Sequence, residues 1–131
     1  MFLFDRPLVV DRGVSSIVVQ VLRGMGNRLL GPVGLEGPEL LRTATKEGWV
    51  VLTHNRLLHA RAREEGIAHG GIVYVCKADL SAESVGTMFK RAAAARMDLR
   101  GSFFLSLRAP AIRERIRHPA GSYPVLRSIG S

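Results

Sequence analysis

Pro7-Leu-Val-Val-Asp11 is a short apolar run that ends in an acid. It is too short for a helix and rich in valine, which is typical of a strand buried on both faces of a parallel sheet. Leu29 and Leu30 predict a brief second strand. Further apolar runs of the same character are Trp49-Val-Val-Leu-Thr53, Ile72-Val-Tyr-Val-Cys76 and Phe103-Phe-Leu-Ser-Leu107. We therefore expect a sheet whose strands are covered by helices on both faces.

Helical patterns fill the segments between these runs. Ser15 or Ser16 is suited to capping the first helix, and Pro38 suits the first turn of the second. The predicted helices run from Ser15 or Ser16 to Gly24, from Glu39 to about Lys46, from about Leu57 to Glu65 and from Ser81 to about Met97. Strands that alternate with helices of about ten residues indicate right-handed βαβ units. The sequence thus predicts a three-layer α/β/α fold with a mostly parallel central sheet.

Length and composition fit one domain followed by a basic extension. The chain has 131 residues, 47% of them hydrophobic, which is enough for one packed core. We place the domain at residues 1–108 and the extension at residues 109–131. The segment Ile112-Arg-Glu-Arg-Ile-Arg117 suits either an edge strand or a solvated helix, and the residues from Gly121 onward are predicted to fray. The extension covers the sheet edge, contacts RNA or stays solvated, and the sequence leaves these alternatives open.

The charge balance points to a polyanion as partner. The chain has 19 Lys and Arg against 11 Asp and Glu, which gives a net charge of +8 and favours nucleic-acid binding. A composition biased toward Arg, Ala and Gly is the alternative explanation. The single cysteine, Cys76, excludes an internal disulfide and fits a reducing compartment. No apolar stretch approaches the roughly 18 residues of a membrane span, so we expect a cytoplasmic protein that does not bind membranes.

Polar side chains follow the predicted strands at their carboxyl ends, where open parallel sheets bind ligands. Asp11 ends the first strand, Asn55 follows the Trp49 run, and Asp79 follows the Ile72 run. Glu36 and Glu39 lie at the start of the helix before the Trp49 run. Hard cations such as Mg²⁺ or Mn²⁺ prefer oxygen ligands of this kind. A cation held there would serve hydrolysis of a phosphodiester.

Each of these residues also has a purely structural interpretation. Asp11 shapes a strand-to-helix turn before Gly13, and acids such as Glu36 and Glu39 are favoured near any helix N-terminus. Asn55 and Asp79 are suited to capping the helices that follow them. The residue types alone do not decide between a metal site and these local roles.

Two blocks of the sequence resemble the PIN-like ribonucleases. Leu8-Val-Val-Asp11-Arg-Gly-Val-Ser-Ser16, followed by Val21-Leu-Arg-Gly-Met-Gly26, resembles the opening of those domains: strand, Asp, short loop, helix, then Leu-Arg-x-x-Gly. Residues 39–58 are similar to their second block, which reads acid-led helix, Ala-x-x-Glu-Gly, strand and Thr-x-Asp. The strand Gly71-Ile-Val-Tyr-Val75 and the helix after it also match. The resemblance covers about residues 7–107, and it is greatest to VapC-like toxins and the Mut-type C-terminal ribonuclease domain.

The resemblance implies that residues 1–108 form a PIN-like domain and act as a metal-dependent endoribonuclease. In that family the strand-end Asp, the helix-leading acid and the Asp of Thr-x-Asp hold the metal. Asp11 and Glu39 match the first two, and Asn55 stands at the third, so these three are the expected catalytic and metal-binding residues. An amide brings an oxygen ligand without negative charge. Glu36 or Asp79 is expected to compensate for the missing charge.

Partners follow from the same resemblance. RNA is the expected substrate, with Arg12, Arg56 and Arg61 in contact with its phosphates. VapC-like toxins belong to toxin–antitoxin pairs and PIN-like proteins commonly dimerise, so an antitoxin protein and a second copy of the chain are further expected partners. Because Asn55 departs from the family pattern, the alternative is a catalytically impaired PIN-like module that binds RNA or a protein. A third hypothesis is a structural or dimerising domain whose basic surface reflects composition alone.

Overall fold

The computed structural model describes residues 6–78, 80–94 and 103–107, together with the backbone of residues 112–115 and 125–129. Helices and strands alternate along the chain, as the apolar runs predict. They are β1 (Leu8–Val10), α1 (Ser16–Gly24), β2 (Leu29–Leu30), α2 (Gly37–Glu47), β3 (Val50–Thr53), α3 (Leu57–Glu64), β4 (Ile72–Val75), α4 (Ala82–Ala94), β5 (Phe104–Leu107), β6 (Ile112–Arg115) and β7 (Val125–Ile129).

Within the described residues, strands β1 to β5 form one sheet in the order β2-β1-β3-β4-β5, and every neighbouring pair is parallel. Val9 pairs with Leu30 on one side and with Val51 on the other. Val73 pairs with Leu52 and Leu105 in the same way. The predicted three-layer α/β/α fold with a parallel central sheet is confirmed.

Side chains alternate between two apolar cores, one on each face of the sheet. Leu8 and Val10 pack in the first core with residues of α1 and α4, whereas Val9 packs in the second core with residues of α2 and α3. Phe89 of α4 is fully buried in the first core, and Leu40 of α2 is fully buried in the second. Burying a large apolar side chain completely contributes about 1.5–3 kcal/mol. The sheet is therefore the rigid element to which the loops at its edges are attached.

One crossover differs in hand from the others. The β1–α1–β2 and β4–α4–β5 units move along the sheet in opposite directions, yet α1 and α4 lie side by side on the same face. Two such units have opposite hands. Helices α2 and α3 lie on the opposite face of the sheet from α1, and their crossovers also run in the opposite direction along the sheet. The two reversals cancel, so these two units have the same hand as β1–α1–β2. Three of the four units thus share one hand and β4–α4–β5 has the other, so the prediction of right-handed units does not hold for all four crossovers.

The helix ends follow local capping chemistry. Ser15 caps α1 through its hydroxyl, which accepts a 3.2 Å hydrogen bond from the backbone N–H of Ile17. The Ser81 hydroxyl accepts in the same way from Ser84 N–H at 3.0 Å at the start of α4. The predicted extension of α4 to Met97 lies outside the described residues. None of the helices in the described ranges is long and apolar enough to cross a membrane.

The C-terminal extension contains two antiparallel strands. The β6 backbone pairs with β7, with Arg115 opposite Val125, and β6 lies next to the edge strand β5. Of the two alternatives for residues 112–117, the strand is therefore correct for residues 112–115. The predicted fraying from Gly121 onward is wrong for residues 125–129, where β-branched residues favour a strand and β6 supplies the pairing.

Candidate functional site

The carboxyl ends of β1 and β3 border an open cleft at one edge of the sheet. Strand β2 lies on one side of β1 and β3 lies on the other, so the strand order reverses at β1. The loops after β1 and β3 leave the sheet in opposite directions at such a switch point, and a cleft opens between them. The cleft has a volume of about 370 Å³. Its lining residues are Asp11, Arg12, Glu36, Gly37, Pro38, Asn55 and Arg61. Side chains from four separate segments of the chain thus meet at the location that parallel sheets use for ligands.

Asp11 is the buried acid of this cleft, with only 8% of its surface exposed. Oδ1 accepts a 2.8 Å hydrogen bond from the backbone N–H of Arg12. Oδ2 accepts a 2.8 Å hydrogen bond from the hydroxyl of Thr53. Each carboxylate oxygen has about two acceptor positions, so both oxygens retain capacity for a cation or a water. The carboxylate is therefore oriented by the protein and still able to bind.

Thr53 connects Asp11 to the segment that carries Asn55. Its fully buried hydroxyl donates to Asp11 and accepts a 2.9 Å hydrogen bond from the backbone N–H of Asn55. One hydroxyl therefore fixes the positions of two predicted site residues relative to each other. This role of Thr53 was not predicted from the sequence. The available signal was a hydroxyl residue at the end of a buried strand, immediately before the candidate site residues.

Asn55 combines a cleft position with a capping role. Its Oδ1 accepts a 3.0 Å hydrogen bond from the backbone N–H of Leu57, the first residue of α3. Asn55 therefore satisfies a backbone donor at the start of α3, as the capping interpretation expects, although the residue directly before the helix is Arg56, whose side chain makes no capping hydrogen bond. Asn55 also lines the cleft and is exposed to solvent. Its amide oxygen has one acceptor position in use and one remaining.

Glu36, rather than Glu39, is the second acid that lines the cleft. Because α2 begins at Gly37, Glu36 occupies the N-cap position and faces the cleft mouth, with its Oε1 3.5 Å from Nη1 of Arg12. Glu39 lies in the first turn of α2, is exposed, and is not among the cleft-lining residues. Asp79 lies outside the described residues.

Two of the three predicted phosphate-contacting arginines line the cleft. Arg12 and Arg61 do so, whereas Arg56 is exposed and is not among the lining residues. A Cβ at Gly37, whose φ is +60°, would lie 3.5 Å from Nη1 of Arg61, so the guanidinium rests close to the backbone at the start of α2. The Arg12–Glu36 pair is largely exposed, with side chains 76% and 68% accessible. Such pairs contribute only about 0–1 kcal/mol, so a ligand can replace this interaction at little cost.

His54 links the end of β4 to the β1–α1 loop by two hydrogen bonds. Its Nε2 accepts a 3.0 Å hydrogen bond from the backbone N–H of Ser15. Its Nδ1 lies 2.7 Å from the carbonyl oxygen of Val75 at the end of β4. The imidazole is half-buried and does not line the cleft.

The oxygen atoms that line the cleft are suited to a hard divalent cation that keeps some of its bound waters. Asp11, Glu36 and Asn55 offer two carboxylates and one amide oxygen, and Mg²⁺ is commonly bound through one or two carboxylates with waters completing its coordination. Among the described residues, no group of three or more His, Cys, Asp or Glu side chains is arranged to hold a metal. The third oxygen donor of the cleft is the amide of Asn55, which brings no negative charge.

No family model, curated protein or solved structure matches this chain. The meaning of the site therefore depends on its own geometry. Five of the site residues that were predicted from the sequence line the cleft, namely Asp11, Arg12, Glu36, Asn55 and Arg61. Gly37 and Pro38 were missed as lining residues, although a proline suited to a first helical turn indicated that a helix starts beside the cleft.

Proposed function

We propose that the chain is a metal-dependent endoribonuclease of PIN-like type. The observation that supports this most is the meeting of Asp11, Glu36 and Asn55 with Arg12 and Arg61 in one cleft. Acids at a strand end repel one another unless a cation joins them, and guanidinium groups beside them suit the phosphates of the same substrate. Acidic oxygen ligands next to arginines are suited to metal-dependent cleavage of a phosphodiester.

The residues have distinct roles in this proposal. Asp11 and Glu36 would hold Mg²⁺ or Mn²⁺, with Asn55 as a neutral oxygen ligand. When bound, the ion supplies charge that stabilises the phosphodiester during cleavage and activates a water. Arg61 and Arg12 would contact the phosphates that flank the scissile bond. Thr53 holds Asp11 in its orientation through the buried hydroxyl.

The distribution of charge also favours a long polyanionic substrate. Residues 90–131 hold nine of the 19 Lys and Arg but only two of the 11 Asp and Glu, so they carry +7 of the net charge of +8. A small anionic substrate would need positive charge only at the cleft. Charge concentrated in the C-terminal third is the distribution expected when an extended phosphate backbone binds there too.

Cleavage of end-labelled single-stranded RNA in Mn²⁺ tests the proposal. We expect cleavage by the wild-type chain and a loss of at least about 100-fold in Asp11→Asn, because changes even at the outer-shell partners of metal ligands typically cost 10–100-fold. Asparagine retains the size of the side chain, and its one amide oxygen can still accept from either the Thr53 hydroxyl or the Arg12 N–H. The matched control is Glu47→Gln, which removes one exposed acid at the far end of α2. Equal cleavage by Asp11→Asn and wild type, or no cleavage by either, would refute a nuclease.

The second candidate function is RNA binding without cleavage. It is favoured by one observation, the hydrogen bond from Leu57 N–H that occupies one acceptor position of the Asn55 amide oxygen. In this case wild type and Asp11→Asn would bind single-stranded RNA with the same salt-dependent affinity, and neither would cleave it in any divalent cation. Binding measured by fluorescence anisotropy beside the cleavage assay separates the two functions.

A further inference from the structure

The imidazole of His54 has both ring nitrogens engaged with backbone groups from two other segments. The N–H of Ser15 can only donate, so Nε2 of His54 is the acceptor of that 3.0 Å bond and carries no proton. Nδ1 therefore carries the proton and donates to the carbonyl oxygen of Val75 at 2.7 Å. The ring is held as one neutral tautomer between the β1–α1 loop and the end of β4.

Ser15 is the point where this loop ends and α1 begins. Its hydroxyl already caps the helix through Ile17 N–H, and the N–H of an N-cap residue has no partner inside its own helix. The bond to His54 therefore satisfies a donor that α1 cannot satisfy. It also links the start of α1 to the end of β4 through the imidazole of His54.

Three successive residues at the end of β3 each hold one point of the β1–α1 loop. The carbonyl oxygen of Leu52 accepts from Asp11 N–H at 2.9 Å, and the Thr53 hydroxyl donates to Asp11 Oδ2 at 2.8 Å. His54 holds the other end of the loop at Ser15. Between these attachments lies Arg12, whose N–H donates to Asp11 Oδ1 and whose side chain lines the cleft.

We propose that His54 is a positioning residue of the cleft, which fixes the β1–α1 loop so that Arg12 and the Asp11 carboxylate keep their relative geometry. Its effect on RNA cleavage rests on the proposed nuclease function, whereas its effect on the loop does not. Without the imidazole bond, the loop is linked to β3 only at its Asp11 end, and its Ser15 end is held through α1 alone. The Arg12 N–H and guanidinium then sample other positions, while the sheet beneath them is retained.

The hydrogen bond to Ser15 can be observed directly by NMR of the uniformly ¹⁵N-labelled chain. An N–H···N bond transmits a scalar coupling between its two nitrogens. We expect that coupling between the Ser15 amide nitrogen and Nε2 of His54, together with a proton on Nδ1. A ring protonated on Nε2 instead, with no coupling to Ser15, would overturn the proposal.

Two substitutions test the consequence for the loop. His54→Phe keeps an aromatic ring without donor or acceptor, and His54→Gln retains one of each. We expect amide hydrogen exchange at Ser15 and Arg12 to rise about fivefold in the Phe variant, the factor for removal of one hydrogen bond. Gln should restore part of the protection, and Val73 in β4 should be unchanged in both variants. Unchanged exchange at Ser15 and Arg12 in the Phe variant would refute the positioning role.

Cleavage kinetics then connect the loop to the site. If the wild-type chain cleaves RNA, His54→Phe should lower kcat more than it raises KM, and His54→Gln should recover part of kcat. A fall in thermal stability with an unchanged kcat would mean that the histidine is structural only, against the proposal. If the wild-type chain does not cleave RNA, the exchange and coupling measurements still decide whether His54 holds the loop.

Discussion

The hydroxyl of Thr53 donates a 2.8 Å hydrogen bond to Oδ2 of Asp11, so the carboxyl ends of β3 and β1 share one buried polar interaction. The same hydroxyl accepts from the backbone N–H of Asn55. Thr53→Val keeps the shape of the side chain but leaves the Asp11 oxygen and the Asn55 N–H each without this partner. We expect a loss of about 1–3 kcal/mol in the free energy of unfolding, the cost of polar groups left unsatisfied.

Urea unfolding of a double-mutant cycle isolates the hydrogen bond between Thr53 and Asp11. The cycle compares Asp11→Ala and Thr53→Val singly and together, because each of these substitutions removes the hydrogen bond, and residues in direct contact show interaction energies of about 0.5 kcal/mol or more. Thr53→Ser is the control, because it keeps the hydroxyl and removes only the methyl group. Strict additivity of the two substitutions would contradict a direct interaction.

The amide at position 55 allows a gain-of-function test. Asn55→Asp adds a carboxylate to a cleft that already contains Asp11 and Glu36, and Asp can accept from Leu57 N–H as well as Asn does. We expect the Mn²⁺ concentration for half-maximal RNA cleavage to fall at least about tenfold, because the charge of the ligand set tunes cation affinity. Titration of cleavage against Mn²⁺ measures the change.

Asn55→Ala separates ligation from capping. This variant should lose about 1 kcal/mol of stability with the α3 cap and require more Mn²⁺, not less. A cation requirement that is the same in Asn55→Asp and wild type would show that position 55 does not reach the cation.

Gly71 is required by a close approach to the first core. Its φ is +135°, and a Cβ there would meet the ring of Phe103, which is fully buried and has no room to move. We expect Gly71→Ala to lower the free energy of unfolding by more than about 2 kcal/mol, from overpacking and a backbone conformation that alanine disfavours. Thermal unfolding followed by circular dichroism measures the loss.

Gly86 in α4 is the matched control for this substitution. A Cβ at Gly86 meets no atom within 4 Å, so Gly86→Ala should raise stability by about 0.5–1 kcal/mol. If both alanine variants changed stability in the same direction, the packing of Phe103 against Gly71 would not explain the effect at Gly71.

The strands could be predicted from the sequence, because short apolar runs bounded by glycine and polar residues are typical of buried strands. The face of the sheet that α4 covers could not be predicted from the sequence. The apolar face formed by Val85, Met88 and Phe89 is equally suited to either side of the sheet. Only the packing of α4 beside α1 shows which face it covers. The general rule for handedness therefore did not predict that this unit differs in hand from the others.

The site was predicted in part for a related reason. Asp11 and Asn55 follow buried strands, so strand ends alone place them at one edge of the sheet. The choice between Glu36 and Glu39 depends on the residue at which α2 begins, and helix boundaries are uncertain by a few residues. The burial of His59 was not predicted, because its ring stacks at 4.0 Å on Phe104, a residue distant in sequence.

The C-terminal third should account for most of the electrostatic affinity for RNA. Changing Arg113, Arg115, Arg117 and Arg127 to Gln removes four of the seven net charges of residues 90–131. For single-stranded nucleic acid, the slope of log K against log salt changes by about 0.7 for each phosphate that is no longer neutralised. We expect a clearly shallower salt dependence of binding, measured by fluorescence anisotropy with an unlabelled-RNA competitor.

The matched control removes the same charge from the α2–α3 face. Arg42, Lys46, Arg56 and Arg63 are exposed there, but Glu36, Glu39, Glu47, Glu64 and Glu65 offset them, so this face carries almost no net charge. Changing these four cations to Gln lowers the net charge of the chain from +8 to +4, as the C-terminal change does. If the location of charge matters, the control variant retains most of the slope of log K against log salt, because the glutamates on this face already offset its positive charge. Equal slopes for the two quadruple variants would mean that RNA responds only to total charge, and the C-terminal third would then have no special part in binding.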